Sequence, residues 1–205
     1  MNESAIKQSA AYDEDFELIR EISKGYPESF NRLVLKYQHP IFNLCYRMLG
    51  NYQDAEDCAQ EVFVKAYQGL KNFKFQAQFS TWLYRIAVNA CKNKQSSLEF
   101  RWRSMISRID RGNETENGVH KMELKDKSAG PAELLEQNET AKLILEAVNM
   151  LPNDQRLIVF LCDFEGRSYE EIAEITGHKL GTVKSKLARA RAKLRGKLAG
   201  VVNNG

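Results

Sequence analysis

Apolar positions recur at intervals of three and four along most of this chain, a spacing that predicts helices. Phe30, Leu33, Val34 and Tyr37 make one stripe. Pro40 suits the first turn of a following helix, with Ile41, Leu44, Cys45 and Met48 inward. Gly50-Asn51 interrupts the pattern, and Ala55, Ala59, Val62, Phe63 and Ala66 form the next stripe. Residues 69–79 carry aromatics without a period and read as a loop. Ser80 or Thr81 is a candidate cap for a further helix that turns Trp82, Leu83, Ile86 and Ala90 inward.

Between Ser96 and Ala132 the periodicity lapses, and Gly112 to Gly118 and Ser128 to Pro131 have loop composition. A flexible linker over 98–135 is expected, with Met105, Ile106 and Ile109 as a short amphipathic element that docks on a partner. Helical spacing returns at Ala141, Ile144, Leu145, Val148 and Leu151. The expected fold is all-α: an N-terminal arm (1–25), a helical domain (26–97), the linker, a second helical domain (136–200) and a short tail (201–205).

The second domain carries a helix-turn-helix pattern. Ser168-Tyr169-Glu170-Glu171 has the capping-box order, with serine at the cap and glutamate three residues on. The helix it opens ends at Gly177, which tolerates positive φ. A small Ala173, this glycine and an inward Val183 allow two helices to meet steeply across a tight turn. The second helix buries Val183, Leu187, Ala190 and Leu194 and presents Lys184, Lys186, Arg189, Arg191, Lys193 and Arg195. That face suits a major groove. Lys184, Ser185 and Arg189 are candidates for base edges and nearby phosphates, Lys186, Arg191, Lys193 and Arg195 for phosphates or water, and Thr182 for a further contact with the same DNA.

Charge sharpens the picture. The 205 residues sum to only +3, yet 71–103 carry net +6 and 179–205 carry net +8, each following an acidic stretch. One polyanion-binding surface per domain is plausible, the alternative being helix faces that are merely solvated. No run of about 18 apolar residues is present, so membrane insertion is not expected. The polar start lacks the apolar core of a secretory signal, and a cytoplasmic protein is expected. Cys45, Cys58, Cys91 and Cys162 show no metal or disulfide spacing and read as ordinary buried or half-buried thiols. His39, His120 and His178 are scattered, so no metal site and no cofactor are expected.

Two stretches carry a resemblance. Asp54-Ala55-Glu56-Asp57-Cys58-Ala59-Gln60-Glu61-Val62-Phe63, with Phe79 to Asn93, resembles region 2 of extracytoplasmic-function (ECF) sigma factors. Leu151-Pro152 to Leu194 resembles their region 4. The resemblance implies a non-enzymatic initiation factor, monomeric when free, that partners core RNA polymerase (its β′ clamp helices and β flap), promoter DNA and an anti-sigma factor. By that resemblance Asp54, Glu56, Asp57, Gln60 and Glu61 face the clamp helices. Region 4 would read the minus-thirty-five element. Lys71, Phe73, Lys74, Phe75, Trp82, Arg85, Asn89 and Lys92 would serve the minus-ten element. Aromatic faces stack unpaired bases, an amide pairs with a base edge and cations hold the backbone. Lys94 is a further phosphate candidate, Phe79 reads as core, and Trp82 reads equally as core or base-facing. Members often carry arginine where Lys184 and Lys186 stand, and lysine lacks the planar fork that reads guanine.

Two other function classes compete. A stand-alone regulator would use the helix-turn-helix alone, commonly as a dimer, and would leave the acidic helix and aromatic loop without a purpose. An all-α enzyme needs converging titratable groups, which the dispersed histidines do not offer.

Overall fold

The computed structural model describes residues 14–97, 143–144 and 146–202. All regular structure among them is helical. In the first module α1 covers 14–23, α2 Ser29–Leu49, α3 Tyr52–Gly69 and α4 Phe79–Ser96, with a single 3-10 turn, Leu70–Asn72, after α3. The second comprises a helical turn at 146–149, α5 (Asn153–Val159) running into a π turn (Phe160–Phe164), α6 (Tyr169–Thr176) and α7 (Leu180–Val202). The amphipathic element expected at Met105, Ile106 and Ile109 lies outside the described residues, as does the linker.

Pro40 does not start a helix. It sits inside the 21-residue α2. Proline there removes a backbone donor and crowds the preceding turn, at a cost of about 3 kcal/mol. Leu33, Tyr37, Ile41 and Leu44 lie in register on either side, all buried, and their packing keeps the helix continuous. Gly50 ends α2 at φ 73°, donating to the Tyr46 carbonyl, and Asn51 caps α3 by accepting the Asp54 N–H at 3.0 Å. Neither Ser80 nor Thr81 is a cap, because α4 begins at Phe79, whose ring is buried against Tyr37 and Trp82. The two hydroxyls are thereby freed for contacts with the second module.

The stretch expected to be an arm is helical from residue 14. Leu18 and Ile19 are buried, and Asp15, also buried, accepts from Tyr37 and Lys36 at 2.5 and 2.6 Å. In the second module Leu157 to Leu161 are consecutively buried. The π turn widens the helix there, and such turns are tolerated where packing fixes them. One contiguous apolar cluster runs through both modules.

Candidate nucleic-acid interface

The helix-turn-helix is built from local signals. Ser168 Oγ accepts the Glu171 N–H at 3.2 Å and Glu171 Oε2 accepts the Ser168 N–H at 2.9 Å, the reciprocal cap that the sequence predicts. Gly177 then turns the chain at φ 73°. Val183, Leu187 and Ala190 seat α7, each no more than 2% exposed. This leaves Lys184 and Arg189 exposed and Thr182 and Ser185 half-buried, Ser185 bonding the Thr182 carbonyl at 3.0 Å. The other two cations are engaged inside the module. Lys186 pairs with Asp154 and lies 3.3 Å from His178, and Arg191 pairs with Asp163. Burial and the Lys186 charge hold His178 below its ordinary 6.5, so it is neutral near pH 7.

In the first module, Thr81, Arg85, Asn89 and Lys92 follow one another at helical spacing and share a face of α4. Arg85, Asn89 and Lys92 are exposed. The loop ahead of α4 presents Lys71 and Lys74. Its aromatics form a cluster: Phe73 lies with its centroid 5.1 Å from Phe75, 5.2 Å from Trp82 and 6.1 Å from Phe16. Phe73 is 8% exposed, so its faces are occupied by neighbours, whereas Phe75 is 38% exposed. Phe75 is held at φ 56°, a conformation disfavoured for a bulky residue and met at functional sites. Trp82 is half-buried and presses on Gly69, where an added Cβ would lie 3.1 Å from its ring. Phe16, from the supposed arm, completes the cluster. Its spacing of three from Ile19, with Leu18 four before Ile22, is the helical signal in this stretch.

The acidic helix is less bare than its sequence suggests. Asp57, Gln60 and Glu61 are exposed and Glu56 is half-buried. Asp54 is 5% exposed and faces inward to Lys94 at 3.1 Å. Lys94 also reaches Asp57 at 3.5 Å, which occupies the ammonium as an ion-pair partner within the module.

A polar clasp joins the modules. The half-buried Arg167 donates from Nη1 to Ser80 Oγ at 2.8 Å and to Glu171 Oε1 at 3.2 Å, and its guanidinium sits 4.4 Å from the Tyr84 ring centroid. The Tyr84 hydroxyl donates to Glu165, Thr81 donates to Glu171 at 3.4 Å, and Arg85 lies 3.9 Å from Glu174. Burial alone would raise the Glu171 pKa, but the Ser168 amide and Arg167 outweigh it and hold the carboxyl below its ordinary 4.5. Burial and the bond to Glu165 push the Tyr84 phenol up. The clasp therefore engages the first two residues of the α4 face that continues to Asn89 and Lys92. Arg47 adds a second contact, stacked 4.8 Å from the rings of Phe160 and Phe164.

Comparison with known proteins places both modules in a family. The Sigma-70 region 2 family matches residues 33–100 and the Sigma-70 region 4 family matches residues 141–194. The RNA polymerase sigma-H factor of Pseudomonas aeruginosa is 37% identical over 179 residues, 87% of this chain and 91% of that protein. The ECF RNA polymerase sigma-E factor of Escherichia coli K12 is 37% identical over 175 residues, 85% of this chain and 88% of that one. Among solved structures, CnrH in complex with the cytosolic domain of CnrY superposes with TM-score 0.62 at 22% identity, covering 92% of this chain and 99% of that one. The sigma factor RpoE in complex with the anti-sigma factor NepR from Bartonella quintana does so with TM-score 0.61 at 24% identity, covering 84% and 98%. With both modules matched in order and more than four fifths of its length aligned to named sigma factors, this chain belongs to the ECF group of the sigma-70 family of RNA polymerase sigma factors.

Proposed function

We propose that the chain docks on core RNA polymerase through the exposed Asp57, Gln60 and Glu61 of α3, reads the minus-thirty-five duplex with α7, and opens the minus-ten element with α4 and the loop before it. The observation that carries this reading is the division of exposed groups. Asn89 and Lys92 lie on one module, Lys184 and Arg189 on the other, and carboxylates on a third surface. Carboxylates can steer and register a basic partner helix. Arg189 has the planar fork that pairs with guanine, one turn beyond Ser185. In the loop, the exposed Phe75 is the better stacking face, since Phe73 is packed.

The clasped arrangement must open for this work. Elements about 25 base pairs apart are separated by roughly 85 Å of duplex, whereas α7, the longest helix described, spans about 35 Å from its 23 residues. Modules in hydrogen-bonding contact cannot occupy both elements. Residues 98–135 are long enough, at about 3.3 Å per extended residue, to let them part. An anti-sigma factor that holds Arg167 on Ser80 and Glu171 would keep the modules together, with Thr81 and Arg85 at the start of the α4 face engaged. That is the regulatory partner proposed here, in keeping with the partners of the CnrH and RpoE structures. A promoter set serving a stress or envelope response and a cytoplasmic site of action belong to the same proposal.

The test separates the surfaces. Asp57→Lys should weaken assembly with core polymerase in a pull-down while duplex binding by the second module persists. Asn89→Ala should reduce promoter opening, read by permanganate reactivity of unpaired thymines, more than it reduces closed-complex binding. Normal assembly of the first variant, or equal losses in the second, contradicts the assignment.

A further inference from the structure

The sequence offered no metal-binding spacing, yet the fold gathers three thiols. Cys45 comes from α2, Cys58 from α3 and Cys91 from α4. Each is at most 1% exposed. Their sulfurs all lie within 4.8 Å of one another, and Cys58 Sγ and Cys91 Sγ are 3.6 Å apart.

That spacing is informative. A thiolate–metal distance of about 2.3 Å places ligand sulfurs roughly 3.8 Å apart in a tetrahedral site and roughly 4.0 Å apart in a trigonal one. The Cys58–Cys91 separation of 3.6 Å is within a few tenths of an ångström of both values, and no sulfur of the three stands more than 4.8 Å from another. A disulfide would instead require one pair to close to about 2.05 Å and leave the third thiol over. Three sulfurs and no nitrogen or oxygen ligand among the described residues make a soft donor set.

We propose that Cys45, Cys58 and Cys91 form a binding site for one soft divalent metal ion of the zinc–cadmium class. The three thiols give up their protons to solvent, the sulfurs bind the ion, and the complex carries one net negative charge. A monovalent soft ion would leave two negative charges in an apolar core, which desolvation disfavours. The site is sealed, so the ion enters as the module folds or through a local opening. Once bound, it braces the helices that present the polymerase-facing carboxylates and the Asn89–Lys92 face.

The test uses the full chain, reduced, stripped with a chelator and kept anaerobic. Cadmium(II) and, separately, zinc(II) are added. Cadmium should produce thiolate-to-metal absorption in the near ultraviolet with an endpoint at one ion per chain. A tenfold excess of zinc should raise the thermal midpoint by about 5 °C or more. Cys58→Ala should abolish both responses, and Cys162→Ala, at a half-buried thiol in the second module, should leave both intact. If Cys58→Ala does not fold, the wild-type endpoint and Cys162→Ala still decide. No stoichiometric cadmium absorption by the wild-type chain, a response lost in Cys162→Ala, or binding of copper(I) with neither divalent ion overturns the proposal.

Discussion

The two modules specify themselves by different means. In the second, structure comes from neighbours in sequence: Ser168 and Glu171 cap each other, Gly177 turns the chain, and Val183 follows six residues later. In the first, it comes from partners far apart. Asp15 meets Tyr37, Phe16 meets Phe73, Lys94 meets Asp54, and three cysteines from three helices converge. A short-range signal marks one module and a packed core holds the other. Removing a single side chain should therefore have different consequences in the two.

Core truncation in the first module should have the largest effect. Leu83 is fully buried, and Leu83→Ala should cost about 2–5 kcal/mol in thermal or urea unfolding. A loss below about 1 kcal/mol would show that this core repacks freely. Next is the clasp, which belongs to neither module. Arg167→Ala removes charged hydrogen bonds worth about 1–3 kcal/mol. Two fluorophores, one per module, should report a greater separation. An unchanged separation would mean that the apolar contact, with Arg47 on Phe160 and Phe164, suffices.

The cap comes third. Ser168→Ala should cost about 1 kcal/mol and act on the second module alone. The smallest effect is that of acid. Glu171 is held below its ordinary 4.5, so its contribution is complete above that value and fades as pH falls through its lowered folded-state pKa. Unfolding midpoints followed from pH 6 to pH 3 should decline less for Glu171→Gln than for the native chain. Parallel declines would remove Glu171 from the account.

The same contrast explains what could be read in advance. The helix-turn-helix, its cap, its turn and its inward positions follow from residues within a few places of one another, and the structure has them as the pattern predicts. At Pro40 local propensity opposes two buried stripes that happen to be in register, and the packing prevails. Asp54 read as a surface acid because nothing nearby in sequence announces Lys94, forty residues on. Phe73 read as an open stacking face for the same reason, its neighbours Phe16 and Trp82 lying on other helices. The thiol cluster is the extreme case: spacing rules for cysteine assume that ligands come from one loop or hairpin, and here each helix brings one.

The central claim is that two basic faces on separable modules address two duplex elements only in the company of core polymerase. Reconstitution of the purified chain with core polymerase on a library of randomised promoters tests it most directly. The account predicts transcripts from a defined subset of templates sharing two short elements about 25 base pairs apart, roughly 85 Å along the duplex. Start sites indistinguishable from those of core polymerase alone would contradict it.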